Sequence, residues 1–361
     1  MIVFRYIARE ILSTFLVISF VLLLIFVSNQ FSRYLVLTAA GKLLGMQLLH
    51  LLLLEVPQLL SIIFPLALYL SIILSYGRLY VDNEMVVLRA CGVSYRKLLN
   101  MSFVIATFVA IPVMMFTLWI NPIVAGTRDK LLSQIGATSV LQTLQPGRFQ
   151  QTNDGTRIFY IEKMSDDKQA LQDLFVAEKG KEGSWNVMSA AGGHHEADEK
   201  TGDRFIVADD GFRYQGVPGT KNFTIIHFDH YGVRINLPVL ERSDAIDSIP
   251  TWDLLFPTPA QHNEYAAEFQ WRLSMPLCIY VLTLIAFSLS SVKPRQGRFG
   301  KLFPAVLLYI IYANFMIVGQ DWITEGQLTP KLGLWVMHLF MLAVGLFLYA
   351  YYTRMKWIQR S

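Results

Sequence analysis

Long apolar runs alternate with polar connections along the chain. The first run, Ile11 to Asn29, has no charged residue and would span about 28 Å as a helix at ~1.5 Å per residue, close to the ~30 Å hydrocarbon core of a bilayer. Two more runs follow, Leu48 to Tyr76 and Leu98 to Val124. The pattern therefore predicts three membrane spans in the first third of the chain.

Arg5 and Arg9 precede the first run, so a cleaved signal peptide is the alternative interpretation. However, the run is longer than the apolar region of a normal signal peptide, and no A-x-A-like cleavage site follows it. We expect the first run to be a retained span.

A polar stretch, Gly126 to Glu268, separates these runs from three further ones, Trp271 to Val292, Leu302 to Gly319 and Leu332 to Tyr352. Each later run again suits a membrane helix. The predicted fold class is an α-helical membrane protein of six transmembrane helices, three plus three, with a β domain inserted between helices 3 and 4. The predicted domains are residues 1–125, 126–268 and 269–361.

Short segments within the insert are rich in β-branched and aromatic residues and are separated by Gly, Asp and Lys clusters. No long helical period lies between them, so the pattern predicts an antiparallel sandwich or open barrel whose strand order it does not give. The predicted strands are Arg157 to Glu162, Asp173 to Ala177, Ser184 to Met188, Arg204 to Ala208, Phe212 to Gln215 and Asn222 to Phe228.

Basic residues are distributed unevenly over the connections between the spans, and their bias predicts orientation. With a cytoplasmic N-terminus, the inside segments hold Arg5, Arg9, Arg78, Arg89, Arg96, Lys97, Lys293, Arg295, Arg298, Lys301, Arg354, Lys356 and Arg360. The short outside loops hold only Arg33, Lys42 and Lys331. We therefore predict two cytoplasmic termini and a β domain on the far side of the membrane.

Composition agrees with a bilayer protein, because 53% of the residues are hydrophobic and only 16% are charged. The net charge of +4 is small and does not indicate nucleic-acid binding. Cys91 and Cys278 are the two cysteines, each in or beside an apolar run, so no disulfide framework is indicated.

Catalytic motifs are absent from the sequence, which contains no P-loop, nucleophile elbow, H-E-x-x-H or C-x-x-C pattern. The best metal-like cluster is His194, His195, Glu196 and Asp198. Because glycines flank this cluster, we favour a solvated hairpin turn over a metal site. No cofactor is expected in this chain.

The inside loop from Gly77 to Lys97 is long enough for a short helix, at about residues 80–95, along the membrane surface. Helical spacing predicts that Met85, Val86, Val87 and Cys91 pack beneath it while Asp82, Glu84, Arg89 and Arg96 face water. One interpretation is a basic connector. The other is a coupling helix that docks into a cytoplasmic ATPase, with Glu84 as a charged contact.

Phe26, Gln30 and Arg33 fall at i, i+4 and i+7 near the outer end of span one and share one helix face. Arg33 suits bidentate binding of a phosphate or carboxylate on an amphiphile. The alternative is an arginine that extends to the headgroups, and Lys42 is a weaker candidate of the same kind.

Glu55 lies in the apolar stretch of span two, where a carboxylate can mark an ion pathway. It lies only a turn or two from the predicted membrane interface. A single interfacial carboxylate is weak support for ion coupling.

Several segments together resemble the LptF/LptG family of lipopolysaccharide export permeases, and within it the LptF type. They occur in the family's order over almost the whole chain. The segments are Arg5-Tyr6 with Arg9-Glu10, Glu84 with Ala90-Cys91-Gly92-Val93-Ser94, Pro146-Gly147-Arg148-Phe149, Phe159-Tyr160-Ile161-Glu162 and Pro294-Arg295-Gln296-Gly297-Arg298.

The resemblance implies a periplasmic β-jellyroll and a complex with an LptG-type permease, an LptB-type ATPase dimer and an LptC-type bitopic protein. Lipopolysaccharide would enter between spans one and five of the two permeases and pass upward through the jellyrolls. ATP would be used by the partner ATPase. The family's acidic coupling residue maps onto Glu84, its neighbours Arg89 and Cys91 fall in the same coupling segment, and a basic residue of span one maps onto Arg33.

Two positions depart from the family pattern, because Gln30 and Gln320 stand where relatives carry lysine. Asp321 beside Gln320 disfavours a phosphate site there. The resemblance favours a transporter subunit, and the alternative is a membrane scaffold or sensor with a partner-binding outer domain. A membrane-embedded transferase would need converging acid and base groups, which Glu55 alone does not provide.

Overall fold

The structure is a computed structural model. It describes residues 2–39, 45–143, 147–151, 157–165, 170–180, 184–197, 204–220, 223–234, 246–258, 261–291 and 301–358. The chain divides into two compact units. The helical unit contains residues 1–32, 49–128 and 243–361, and the β unit contains residues 33–48 and 129–242.

Helices dominate both ends of the described chain. The first half contains α1 (Ile2–Ala39), α2 (Gly45–Val81), α3 (Glu84–Ala90), α4 (Tyr95–Met115), a π turn (Phe116–Ile120) and α5 (Asn121–Thr143). The second half contains two 3₁₀ turns (Ile246–Ser248 and Asp253–Leu255), α6 (His262–Leu289), α7 (Leu302–Thr324) and α8 (Trp335–Ile358).

Six helical segments of the described chain are long and apolar enough to cross a membrane, which confirms the predicted number of spans. The segments are Ile2–Val36, Gly45–Val81, Tyr95–Leu132, His262–Leu289, Leu302–Thr324 and Trp335–Thr353. Several extend past the predicted runs, because a helix continues into its polar flanks for as long as its backbone hydrogen bonds are made. Span three runs from α4 through the π turn into α5.

The core of the helical unit lies around α2, α4 and α6. Tyr69, Ile72 and Tyr76 of α2 are fully buried, and Leu284 and Ile285 of α6 belong to the same apolar cluster. By contrast, many large apolar side chains of α1, α7 and α8 are exposed, as is expected of surfaces that face lipid or a partner helix.

In the described part of the insert, six strands form one antiparallel sheet in the order β1-β2-β3-β4-β5-β6, so neighbours in sequence are neighbours in the sheet. This confirms the antiparallel β domain between spans three and four and supplies its strand order. The strands are β1 (Gln150–Gln151), β2 (Arg157–Met164), β3 (Ala170–Lys179), β4 (Trp185–Ala197), β5 (Arg204–Gly216) and β6 (Phe223–Arg234).

Two predicted strands are in fact one. The sequence Asp209-Asp210-Gly211 was expected to separate Arg204 to Ala208 from Phe212 to Gln215, but all of these residues belong to β5. Asp210 adopts a left-handed conformation with φ of 51°, and the pairs on either side of it keep their register. The strand therefore bends at Asp210 without ending.

Asp173 of β3 has the same φ of 51° and lies in the same transverse row of the sheet as Asp210. Leu171 and Leu174, on either side of Asp173, both belong to the buried β cluster. Residues i and i+3 of a flat strand point to opposite faces. The strands therefore bend along this row, and the sheet curves around one core.

Candidate functional site

The short helix α3 lies in the predicted coupling segment. It begins after Asn83, whose φ is 62°, and the chain turns at Gly92, whose φ is 83°. Met85 is 1% exposed and anchors the helix to the core of the helical unit. Seven residues are too few for a stable isolated helix, so this packing is what holds α3 in place.

The prediction that four apolar side chains pack beneath α3 was wrong for three of them. Val86 is 62% exposed, Val87 is 61% exposed, and the free thiol of Cys91 is also exposed. Of these four residues, only Met85 faces inward. The helix α3 therefore presents two apolar side chains outward, and the exposed Cys91 follows directly after it.

Glu84 is bonded to α1, and through Tyr6 it is linked to α2. The Tyr6 hydroxyl donates a 2.5 Å hydrogen bond to its Oε2, and Arg78 in turn donates to the Tyr6 oxygen at 3.3 Å. Arg78 also pairs with Glu10 at 3.1 Å. Glu84 is thus half-buried in a polar cluster, and its carboxylate position is fixed relative to two spans.

Arg89 was predicted to face water, but the structure turns it inward. Its guanidinium lies 4.2 Å from the centre of the Tyr95 ring and donates a 2.9 Å hydrogen bond to the Tyr95 hydroxyl. The Tyr80 hydroxyl lies 3.4 Å from the same oxygen. Arg89 therefore links α3 to α4 and α2, whereas Asp82 and Arg96 are exposed as predicted.

Phe26, Gln30 and Arg33 all lie on the single helix α1. Their spacing of four and three residues keeps them on one face of it. Phe26 and Arg33 are exposed and Gln30 is half-buried. Their role in substrate binding stays a prediction, and Lys42 lies outside the described residues.

Glu55 belongs to an ion-pair network within the helical unit. Arg128 of α5 lies 3.7 Å from Glu55 and 3.5 Å from Asp247, and it donates to Gln58 at 3.3 Å. Intramembrane carboxylates are commonly paired in this way. The pairing gives Glu55 a structural partner and no connection to an ion pathway among the described residues.

Arg272 was missed by the sequence reasoning. It is 3% exposed and makes a 2.7 Å ion pair with Glu268, one helical turn earlier on α6. Gln320 of α7 lies 3.5 Å from the other oxygen of Glu268. An acidic residue four positions before an arginine, at the edge of an apolar run, was the signal that the sequence offered.

The His194 segment is not a turn, because His194, His195 and Glu196 belong to β4; Asp198 lies outside the described residues. The nearest polar partner of His194 is Asp209, at 2.9 Å, and His230 reaches the other oxygen of Asp209 at 2.7 Å. In the described part of the chain, no group of three His, Cys, Asp or Glu residues is placed to hold a metal ion.

Asp209 lies between these two histidines on the curved sheet. Burial raises the pKa of Asp209, but the hydrogen bonds from His194 and His230 outweigh burial, so the pKa lies below its ordinary value. The carboxylate therefore favours its charged form and ties β4 and β6 to β5.

Two of the sequence segments that carried the resemblance contact each other in the β unit. The Gly147 amide donates to the Ile161 carbonyl at 2.8 Å, and the rings of Phe149 and Tyr160 lie 4.7 Å apart. Gly147 has a φ of 78°, which explains a glycine at this turn. Residues 294–298, which carried another segment of the resemblance, lie outside the described residues.

Comparison with known proteins gave matches over nearly the whole chain. The family model described as lipopolysaccharide export system permease LptF/LptG matches residues 5–351. Relatives described as lipopolysaccharide export system permease protein LptF come from Escherichia coli K12, Escherichia coli O157:H7 and Shigella flexneri. Each is 29% identical over 354 residues, which cover 96% of this chain and 94% of the relative.

Proposed function

Because the chain belongs to the LptF/LptG family and is a multi-pass inner-membrane permease subunit of a lipopolysaccharide export system, we propose that α3 couples it to a separate cytoplasmic ATPase. The partner on that side is an LptB-type ATPase dimer. The observation that carries the proposal is the outward presentation of Val86 and Val87 on a helix whose Glu84 is fixed by Tyr6. Apolar side chains beside a fixed charge suit a protein groove.

ATP is hydrolysed on the partner and not in this chain. In support, the sequence contains no P-loop of the type that binds ATP phosphates. This chain itself needs no cofactor. It converts the movement of its partner into movement of its own spans.

Both termini and α3 lie in the cytoplasm, and the β unit lies in the periplasm. The positive-inside bias of thirteen basic residues against three supports this orientation. The exposed aromatic residues Trp252 and Phe256, between the β unit and α6, suit the outer membrane interface.

Lipopolysaccharide is taken from the membrane at the outer part of α1 and passed through the β unit. The exposed apolar side chains of α1 suit acyl chains, and Arg33 suits a phosphate of lipid A. Phe26 and Gln30 complete the same face. An LptG-type permease forms the other half of the passage, and an LptC-type bitopic protein receives the lipid.

Purification from the native membrane tests the coupling proposal. Tagged chain extracted in detergent should co-isolate with an ATPase and a second six-span permease, and Glu84→Arg should release the ATPase while retaining the second permease. Arg96→Glu is the matched control, because Arg96 is exposed outside α3. Isolation of the chain alone, or equal ATPase binding by the Glu84→Arg protein, would refute the proposal.

A further inference from the structure

Residues 246–255, here called the strap, form part of the connection that leads from the β unit to α6. The strap consists of the two 3₁₀ turns and the residues between them. It belongs to the helical unit, which the chain re-enters at residue 243. Leu254 is buried against that unit, whereas Trp252 is exposed.

Arg272 holds the strap with four of its five N–H donors. Its Nε donates to Glu268, and its two terminal nitrogens donate to four oxygens of the strap, at 2.8 to 3.1 Å. A guanidinium carries five N–H groups, so the set is complete. The acceptors on the strap are the carbonyls of Ile246, Asp247 and Ile249 and the hydroxyl of Thr251.

The strap is also bonded to span three. The Thr251 hydroxyl donates to the Leu118 carbonyl in the π turn at 2.5 Å, while Arg128 of α5 reaches Asp247 at 3.5 Å. Single π turns inside helices recur at functional sites. The Thr251 hydroxyl therefore bridges two elements, because it accepts a hydrogen bond from Arg272 of α6 and donates one to span three.

These contacts involve residues near two of the four places where the chain passes between the units, the exit after Arg128 and the return at residue 243. The chain leaves the helical unit after Arg128 and returns at residue 243, and Arg128 and Asp247 lie near these two crossings. A buried arginine with all five donors used holds its partners in one geometry. Arg128 and the strap are thus held to α6 and to each other.

We propose that Arg272 is a positioning residue for export: it makes the strap move as one body with span three and α6, so that movement of these spans reaches the β unit. The inference rests on the proposed ATP-driven function. Loosening the strap should leave ATP hydrolysis in place while lowering the lipopolysaccharide delivered for each ATP. Lysine cannot replace Arg272, because it has three donors and no planar fork.

The test uses the whole complex, purified with its ATPase and reconstituted in vesicles with lipopolysaccharide. Three variants are compared with wild type: Arg272→Lys, Thr251→Val and Thr251→Ser. The two Thr251 variants form a matched pair. Thr251→Val removes both hydrogen bonds of the Thr251 hydroxyl at nearly constant side-chain volume and without a charge change. Thr251→Ser keeps a hydroxyl at the same position. ATP hydrolysis and release of lipopolysaccharide to a soluble acceptor are measured on the same samples.

Thr251→Val and Arg272→Lys should lower the ratio of lipopolysaccharide released to ATP hydrolysed by roughly three- to thirtyfold, the range for coupling lost at one side chain. Thr251→Ser should behave as wild type. Amide exchange in peptides from residues 246–258 should become faster in the two impaired variants, with exchange in β3 to β5 unchanged.

The inference is overturned if Thr251→Val keeps the wild-type ratio, or if ATPase and release fall in the same proportion. Failure of the proposed function has a different signature, because the wild-type complex would then release no lipopolysaccharide on addition of ATP. Should Arg272→Lys fail to assemble, the Thr251 pair decides the question alone.

Discussion

The hydroxyl of Tyr6 donates a 2.5 Å hydrogen bond to the carboxylate of Glu84 and joins the start of α1 to the first turn of α3. The two residues are 78 positions apart in the sequence. Span one carries the predicted substrate face, and α3 is the predicted ATPase contact. One hydrogen bond therefore connects the two helices on which the proposed transport function depends.

Replacing Tyr6 by phenylalanine removes this bond while keeping the ring. We expect Tyr6→Phe to weaken ATPase binding by roughly fivefold, as for loss of about 1 kcal/mol from a partly exposed hydrogen bond to a charged group. Affinity can be measured by titrating purified ATPase onto the permeases in nanodiscs. Tyr351→Phe is the control, because Tyr351 is exposed on α8 and its ring contacts with Phe347 and Tyr352 are kept. Equal weakening by both variants would contradict the assigned role of Tyr6.

Reversing the charge of Arg33 tests the substrate face. Arg33→Glu should reduce photo-crosslinking of lipopolysaccharide to probes placed in α1, because a carboxylate repels lipid A phosphates. Assembly of the complex should be unchanged. Lys331→Glu makes the same charge change in another predicted outside segment and should leave crosslinking intact. If Arg33→Glu crosslinks as well as wild type, Arg33 only extends to the headgroups.

The curved sheet has little space at Gly211. A Cβ there would lie 2.5 Å from the Ser189 carbonyl oxygen and 2.7 Å from the Phe228 ring. Gly211→Ala should therefore destabilise the β unit by about 1 to 3 kcal/mol, the usual cost of overpacking. Amide exchange in β4 to β6 within the full chain measures the loss.

Gly192→Ala is the matched control in the same sheet. A Cβ at Gly192 meets only the Leu171 carbonyl, at an ordinary 3.6 Å. Exchange in β4 to β6 should be much slower in this variant than in Gly211→Ala. Equal exchange in the two variants would show that the predicted contacts at Gly211 relax at no cost.

Acidification should loosen the sheet at Asp209. The pKa of Asp209 is lowered in the folded protein, so its contribution to stability is present above the ordinary carboxyl value of 3.8 and is lost as the pH falls through the lowered pKa. With the side chain 34% exposed, water screens the effect and keeps it small. Comparing amide exchange of β5 and β6 between wild type and Asp209→Asn at each pH measures the contribution.

The difference between wild type and Asp209→Asn should shrink as the pH falls below the ordinary carboxyl pKa. Comparison at the same pH cancels the intrinsic pH dependence of exchange. A difference that keeps growing as the pH falls below the ordinary carboxyl pKa would contradict the lowered pKa of Asp209.

The spans and the existence of the β domain were readable from sequence because each rests on a local signal. Apolar runs of membrane length identify helices, and β-branched clusters identify strands. The curvature of the sheet was not readable, because Asp209-Asp210-Gly211 has the composition of a turn. The structure keeps these residues in β5, since the neighbouring strands hold both sides of the bend in register.

The candidate site was readable only in part. The short helix at Glu84 followed from the length and pattern of its loop, but the inward turn of Arg89 depends on Tyr95, which packs against it in space. The exposure of Val86 and Val87 was missed for a related reason. Helical periodicity predicts which side chains share an apolar face. It does not predict whether that face packs against the same chain or is exposed to a partner.

Arg272 shows the same limit more sharply. Its four acceptors on the strap are 21 to 26 residues away along the chain, and three of them are backbone carbonyls that carry no sequence signal. Only the pair with Glu268 is local. The sequence therefore indicates that Arg272 pairs with Glu268, but it does not predict the contacts of Arg272 with the strap.

Depletion of the protein in its own bacterium tests the central claim most directly. After expression is switched off, newly made lipopolysaccharide is pulse-labelled, and the labelled lipid is measured in separated inner and outer membranes. The export function predicts that labelled lipopolysaccharide accumulates in the inner membrane before growth stops, and that re-expression restores its transfer. If labelled lipopolysaccharide continues to reach the outer membrane at the normal rate while growth fails, the chain is a scaffold or sensor and the export function is refuted.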